Sequence, residues 1–518
     1  MTTDAPTTAR GAGRDGRPGG ARLRRRLGGT AALVCLLAVT AGCGMSSSAG
    51  SDPTGRQHGY APKPDRSVAY QPDVVLVAGG GDTIRSVSRD GFTYVIDGAA
   101  KGARDLVPGK IMFATSEALG RVVRVEPTGG DLAVTLAPVE LTDVVRDGHF
   151  TIDQALDLEA QTFSPLPDLL GETTDAPAAT PVLPDAQKAT GLGMNAIGLG
   201  ANAIGAGEVR LVVPPIALRA APKPGPEAAG SAQRKIGDWD VTAYKDSAKL
   251  GLTAEHSTAA QGRAGGLKVD FDIQLRVRNL RVQGDLRVAN GIMPNPSFRV
   301  DGIEGLAVTI AAGAQGGLSD NKKAKIEFPI EVKQPIIIGG FPATLKQTFK
   351  FLVETAFSAK NGNLSATGQW GLAGPIGYAN SSVLTPTFSV QKSIMQSLRG
   401  VSIGVEAIVL AVEFRFGFMI GLPVAGAGPF VAIVASVGLT NGSSAGRVGL
   451  PLAGPAVKCR GTTLVATVRA GEGISMSGPL ATAIKKALKV DIPKEADFLK
   501  KDIVNRTVVE PDVPLCRG

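Results

Sequence analysis

Phe271-Asp272-Ile273-Gln274-Leu275-Arg276-Val277-Arg278 alternates apolar and polar residues without a break. Successive side chains of an extended chain point to opposite faces, so this octapeptide predicts a strand with one dry and one wet face. Ile326, Phe328, Ile330 and Val332 repeat the pattern, which is typical of antiparallel sheets with a single buried face. Asp301-Gly302, Asn361-Gly362 and Asn441-Gly442 supply hairpin signals between such runs. Residues 235–518 therefore read as a large β domain, sandwich- or barrel-like, with one or two short helices. The helices are expected at residues 390–398, where Val390, Ile394 and Leu398 stand four apart before Gly400, and at residues 479–488, behind Ser477 as a cap.

Shorter runs of the same kind fill residues 71–165: Val74 to Val77, Phe92 to Ile96, Lys110 to Phe113, Val122 to Val125 and Leu132 to Leu136. Asp90-Gly91, Pro108-Gly109, Gly129-Gly130 and Asp147-Gly148 separate them, predicting a small antiparallel β domain. Residues 166–234 are rich in Pro, Gly and Ala and contain a short repeat, Asn195-Ala196-Ile197-Gly198 and Asn202-Ala203-Ile204-Gly205. They read as a linker, with one or two docked strands as the alternative. The fold class is thus mainly β, in two antiparallel β-rich domains. Length and composition agree: 518 residues with 43% hydrophobic residues can bury a sizeable core, and 67 Gly without a period of three exclude collagen.

Residues 416–446 carry no charge, yet Pro423, Pro429 and many Gly argue against a membrane-crossing helix. The expectation is two or three strands buried on both faces. The wall of an apolar ligand cavity and a membrane-inserting hairpin are the alternatives, the latter weakened because Val431 to Ala435 does not alternate.

The N-terminus is organised for export. Arg22, Arg24, Arg25 and Arg26 precede an uncharged apolar stretch over residues 31–39, which ends in Thr40-Ala41-Gly42-Cys43. A positive region, a short apolar region and small residues before a cut make a signal peptide over residues 1–42. Thr40-Ala41-Gly42-Cys43 resembles the lipobox of bacterial lipoproteins, with Thr40 where that class usually carries Leu. The resemblance implies cleavage after Gly42 and a diacylated Cys43 as the mature N-terminus. An ordinary secretory signal is the alternative, and Arg24-Arg25-Arg26 also permits twin-arginine export. Residues 43–70, rich in Ser, Gly, Asp and Pro, read as a flexible tether. The expected location is the cell membrane, lipid-anchored and facing outward.

Removing the leader takes away seven Arg and two Asp, so the formal net charge falls from +9 to +4. A nucleic-acid partner is not supported at that charge. Cys35 leaves with the leader and Cys43 takes the lipid, which leaves Cys459 and Cys516 to form one disulfide in an oxidising exterior, or to stay as two thiols.

Catalytic patterns are weak. Gly-x-Ser-x-Gly occurs around Ser402 and around Ser444, but no His follows His256, so the hydrolase order of Ser, acid and His fails. His58, His149 and His256 have no neighbour at metal-ligand spacing and read as solvated turn residues. Asp238/Asp240 and Asp270/Asp272 read as wet faces of amphipathic strands. Gly79-Gly80-Gly81 follows a strand as in a dinucleotide fold, but the residues after it predict a hairpin and no phosphate-binding helix. No cofactor, metal ligand or catalytic residue is assigned. The function expected is a non-catalytic binding or structural module of the cell envelope, with a carrier of a lipid or other hydrophobe as runner-up and an envelope hydrolase as the third reading.

Overall fold

The computed structural model describes residues 53–63, 65–159, 161–165, 230–236, 239–257, 266–315, 323–357, 362–402, 405–423, 425–443, 458–475 and 496–513. These residues fall in one compact unit, Asp52–Gly518. They are mainly β, in three sheets with almost entirely antiparallel pairing.

The small sheet has six strands in the order Val74–Leu76, Ile111–Thr115, Ala118–Thr128, Asp131–Ala137, Thr93–Asp97, Ile84–Val87. Its first pair is parallel, unlike the antiparallel expectation, because a chain segment separates Val74–Leu76 from Ile111–Thr115 where a tight turn would have reversed it. The first large sheet, of twelve strands, follows the path Ser231–Ile236, Trp239–Asp246, Lys249–Ser257, Gly266–Val288, Ser297–Gln315, Gly362–Ala373, Thr387–Lys392. The second, of nine, runs Ala496–Glu510, Lys458–Glu472, Phe430–Ser443, Val405–Leu422, Phe341–Phe357, Lys323–Ile338, Thr162–Pro165. The two large sheets share one core, and Phe271 of the first meets Phe351 of the second edge to face at 5.4 Å.

The alternation at residues 271–278 does what it predicts: Phe271, Ile273, Leu275 and Val277 are buried, and Asp272, Gln274 and Arg276 are half-buried. Its strand, Gly266–Val288, changes partner midway. Residues up to Arg276 pair with Lys249–Ser257, and Arg281 to Val288 pair with Val145–Ala155. The change falls at an irregularity after Arg276, where Asn279 takes φ 50 and Gly302 packs so closely that a Cβ on it would stand 2.4 Å from the Arg278 carbonyl.

That switch moves the domain boundary. Val145–Ala155 and Thr162–Pro165, expected in the small domain, belong to the first and second large sheets respectively. Alternation identifies a strand but not its sheet, and the second half of Gly266–Val288 offers an edge that Val145–Ala155 covers. The large unit also begins at Ser231, slightly before residue 235, and the expected linker lies outside the described residues except at its C-terminal end. Residues 53–63, expected in the tether, are bound to the folded unit. Pro53–His58 is helical, Gly59 is buried, and Lys63 N–H donates to the Gly340 carbonyl at 2.8 Å.

Within the small sheet Ile111–Thr115 is buried on both faces, while Thr93–Asp97 alternates and residues 126–128 are exposed. Ile111, Phe113 and Leu119 enter the core of the large sheets. Met112, Ala114, Tyr94 and Ile96 form a second core, into which the second large sheet inserts Leu422, Ala425 and Ala427. The uncharged stretch after Phe416 occupies the centre of the second large sheet, buried on both faces as expected. Beside it Glu413 is ion-paired with Arg415 at 2.7 Å and Arg469 at 2.8 Å. Burial pushes the Glu413 carboxyl up, but Arg415, Lys350 and Arg469 overcome it and hold it down at about 2.

The helix expected at residues 390–398 forms over its C-terminal half only, while residues 390–392 end a strand. Thr387–Lys392 pairs with Gly362–Ala373, and only Ile394–Ser397 turns helical behind Ser393, whose Oγ accepts from the Gln396 N–H at 3.4 Å. Phe388 and Val390, aromatic and β-branched, are better satisfied opposite Leu372 and Trp370 than on a short exposed helix. The helix expected at residues 479–488 lies outside the described residues. No helix among the described residues is long and apolar enough to cross a membrane.

Candidate functional site

One group of ionisable side chains stands where the small sheet meets the second large sheet, and another surrounds the end of the strand Lys458–Glu472. The first is built on Thr115-Ser116-Glu117, the turn between the strands Ile111–Thr115 and Ala118–Thr128. Thr115 Oγ1 accepts from the Glu117 N–H at 3.3 Å and the Ala118 N–H at 3.0 Å, and donates to the His58 carbonyl. The Tyr94 hydroxyl donates to the Glu117 carbonyl at 2.8 Å. So held, the Glu117 carboxylate meets Lys333 Nζ at 2.6 Å, with the side chains 2% and 6% exposed. Two positions before Lys333, and so on the same face of the strand, Glu331 pairs with Lys346 at 3.2 Å, and Lys346 Nζ also donates to the Pro423 carbonyl at 3.3 Å. Ser116 Oγ and Thr344 Oγ1 are hydrogen-bonded at 3.1 Å.

Two carboxylates thus face two ammonium groups out of water. Burial opposes the charge of Lys333, but Glu117 and Glu331 outweigh it and hold the lysine above its ordinary value. Burial raises the Glu331 carboxyl despite Lys346 and Lys333. His58, at the margin, is lowered mainly by burial, with Glu117 favouring its charge and Lys333 opposing it.

The second group joins Glu472, Glu140 and Tyr378. Glu472 ends the strand Lys458–Glu472, and its Oε2 is buried without a hydrogen-bond partner. Burial, and then the nearby Glu140 carboxylate, push its carboxyl up to about 7. Glu140 is itself raised by burial and by Asp143, whose Oδ2 accepts from the Glu140 N–H at 2.9 Å. Burial, followed by Glu472, raises the Tyr378 phenol. A carboxyl that exchanges its proton near neutrality can donate or accept one. Neither group sets a nucleophile against a general base, and no cluster of metal-binding side chains occurs among the described residues.

The residues singled out in the sequence are scattered. Cys43, Cys516 and Ser444 lie outside the described residues. Cys459 stands on the strand Lys458–Glu472, where the next residue, Arg460, faces Glu510, six positions before Cys516. Ser402 lies on the strand Arg399–Ser402 opposite Gly362, not at a strand-to-helix elbow. His149 and His256 are strand residues and not turn residues. His149 is exposed with Nε2 2.9 Å from Asp285, and His256 is buried with its ring stacked on Trp239 at 4.9 Å. Asp240 is exposed, Asp272 accepts from the Tyr244 hydroxyl at 2.5 Å, and Asp238 lies outside the described residues. Gly80–Thr83 is one 3-10 turn that leads into the strand Ile84–Val87, so there is no phosphate-binding helix.

Sequence reasoning missed Glu117, Glu331, Lys333, Lys346, Glu140 and Glu472. Glu331 and Lys333 alternate with apolar neighbours as a wet face would, and nothing local signals that another sheet dries that face.

No curated protein matches this chain, and no solved structure does. Residues 54–147 match a domain of unknown function, DUF8403, which takes in the helix Pro53–His58 together with the small sheet. Residues 220–502, more than half of the chain, match a second domain of unknown function, DUF8402. On that match the chain belongs to the DUF8402 family.

Proposed function

We propose that this protein is a lipid-anchored, extracytoplasmic display module without catalysis, which holds one rigid β body off the membrane for a partner of the cell envelope. The observation that carries the reading is the buried Glu117–Lys333 pair, together with the second core into which Leu422, Ala425 and Ala427 insert. A joint that is both apolar and ionic resists hinge motion, and a hinge is what a lid or clamp around a substrate needs. The lipobox-like Thr40-Ala41-Gly42-Cys43 and the Ser- and Gly-rich residues after it support the anchor. The direct Phe271–Phe351 contact favours display over carriage, since it closes the space between the large sheets at that level.

Detergent-phase partition of the full-length protein and of Cys43→Ala, expressed in a bacterium, tests the anchor. Partition lost in Cys43→Ala agrees with the reading, and partition unchanged in that variant sinks it. Native mass spectrometry of the exported Cys43→Ala protein, followed by solvent extraction, tests display against carriage. A bare protein mass keeps the display module, and a discrete extracted hydrophobe replaces it with the carrier.

A further inference from the structure

The chain just upstream of the small sheet is fastened across the ionic joint. Pro53–His58 forms one short helix. The Gln57 carbonyl accepts from Lys333 Nζ at 3.4 Å, the His58 carbonyl accepts from Thr115 Oγ1, and the Tyr60 carbonyl accepts from the Ser116 N–H at 2.9 Å. Lys63 N–H then donates to the Gly340 carbonyl on the second large sheet at 2.8 Å. The approach is close enough to need glycine: Gly59 has φ +75, and a Cβ there would stand 2.2 Å from Ser116 Oγ. Residues 53–63 therefore touch both sides of the joint and lie over the Glu117–Lys333 pair. Among the described side chains of the segment, the apolar ones, Tyr60, Ala61 and Pro62, are only half-buried, so the attachment there is otherwise thin.

We propose that residues 53–63 form a pH-sensitive strap, closed over the Glu117–Lys333 pair while His58 is neutral and released when His58 takes up a proton. His58 is half-buried at the middle of the strap, where its helix ends. Glu117 from the hairpin turn and Lys333 from the strand Lys323–Ile338 face it, and the 3-10 turn Gly80–Thr83 packed beside the helix carries Asp82. Glu331 and Lys346 complete the charges behind that pair. The Glu117 carboxylate that favours a charge on His58 is already paired with Lys333, so an imidazolium would add a third charge at the margin of a buried ion pair, next to the Lys333 ammonium. The sign follows from proton binding. Docked His58 holds its proton less tightly than a free imidazole, so the released strap binds more protons, and release is favoured as pH falls below the ordinary histidine value of 6.5. Glu331, raised by burial, takes up a proton in the same direction and weakens the hold on Lys346.

Hydrogen exchange of the full-length protein, corrected for the intrinsic pH dependence of amide exchange, tests this at about pH 7.5 and about pH 5. The reporters are the Lys63 and Ser116 amides, with the ladder of Lys249–Ser257 as the internal reference. In the wild type their protection falls by about threefold or more at the lower pH while the reference holds. In His58→Gln, which cannot titrate, it is the same at both pH values. Equal protection at both pH values in the wild type overturns the proposal, whether or not the variant folds. An undiminished loss in His58→Gln also overturns it, by assigning the effect to Glu331 or another acid. His58→Asn repeats the test if His58→Gln does not fold.

Discussion

Glu117 and Lys333, 216 positions apart in the chain, meet at 2.6 Å with almost no water access to either side chain. Glu117 Oε1 has no hydrogen-bond partner, so the pair is held by one oxygen and the geometry leaves little slack. Removing one member strands the other charge in a dry joint, whereas removing both leaves a gap that apolar atoms can fill. Lys333→Met alone should cost about 3–5 kcal/mol, and Lys333→Met with Glu117→Leu markedly less. Urea unfolding of the two variants decides it, and equal losses in the single and double variants would show that the ion pair is not what matters.

Glu472 gives a pH dependence of definite sign. Its folded value of about 7 exceeds the ordinary 4.5, so the folded protein binds the extra proton between those values. Stability from this group therefore falls as pH rises from about 4.5 to about 7 and is flat above that window. The side chain is partly exposed, which moderates the effect. Urea midpoints at pH 5 and pH 8 should fall less with pH in Glu472→Gln than in the wild type. Parallel slopes in the two proteins would mean that other carboxyls carry the dependence.

Gly59→Ala should destabilise the protein by about 1–3 kcal/mol, because both the positive φ and the closeness of Ser116 oppose a side chain. Gly129→Ala is the control: its φ is +66, but nothing lies within 4 Å of the position a Cβ would take. A thermal shift for Gly59→Ala no larger than the control's would show that the contact with Ser116 yields.

Cys459 and Cys516 should form one disulfide, because Arg460, next to Cys459, pairs with Glu510, six positions before Cys516 in the chain. Closing that loop is worth about 4 kcal/mol on a chain-entropy account. Alkylation of the oxidised, denatured protein should add no mass to either cysteine. Labelling at Cys459 without reductant would refute the bond.

Much of the fold was legible because it is written in local alternation. Phe271 to Arg278 shows a strand, its dry face and its wet face, since neighbouring side chains of an extended chain point oppositely whatever surrounds them. Val431 to Ala435 likewise shows burial on both faces by failing to alternate. At residues 390–398 local spacing located the helix Ile394–Ser397 but set its start too early, because residues 390–392 pair with Gly362–Ala373, a strand remote in sequence.

The mainly β class follows from the order of residues, because alternation depends on neighbours within a few positions, and the expectation of a lipobox-like address rests on an equally local reading. The tertiary structure alone decided that Val145–Ala155 joins the large sheets, that residues 53–63 are strapped down, and that Glu117 and Lys333 share one dry joint. Sheet membership depends on which distant edge is open, and the fate of a charge depends on what covers it. Neither is a property of the residues beside it in the chain.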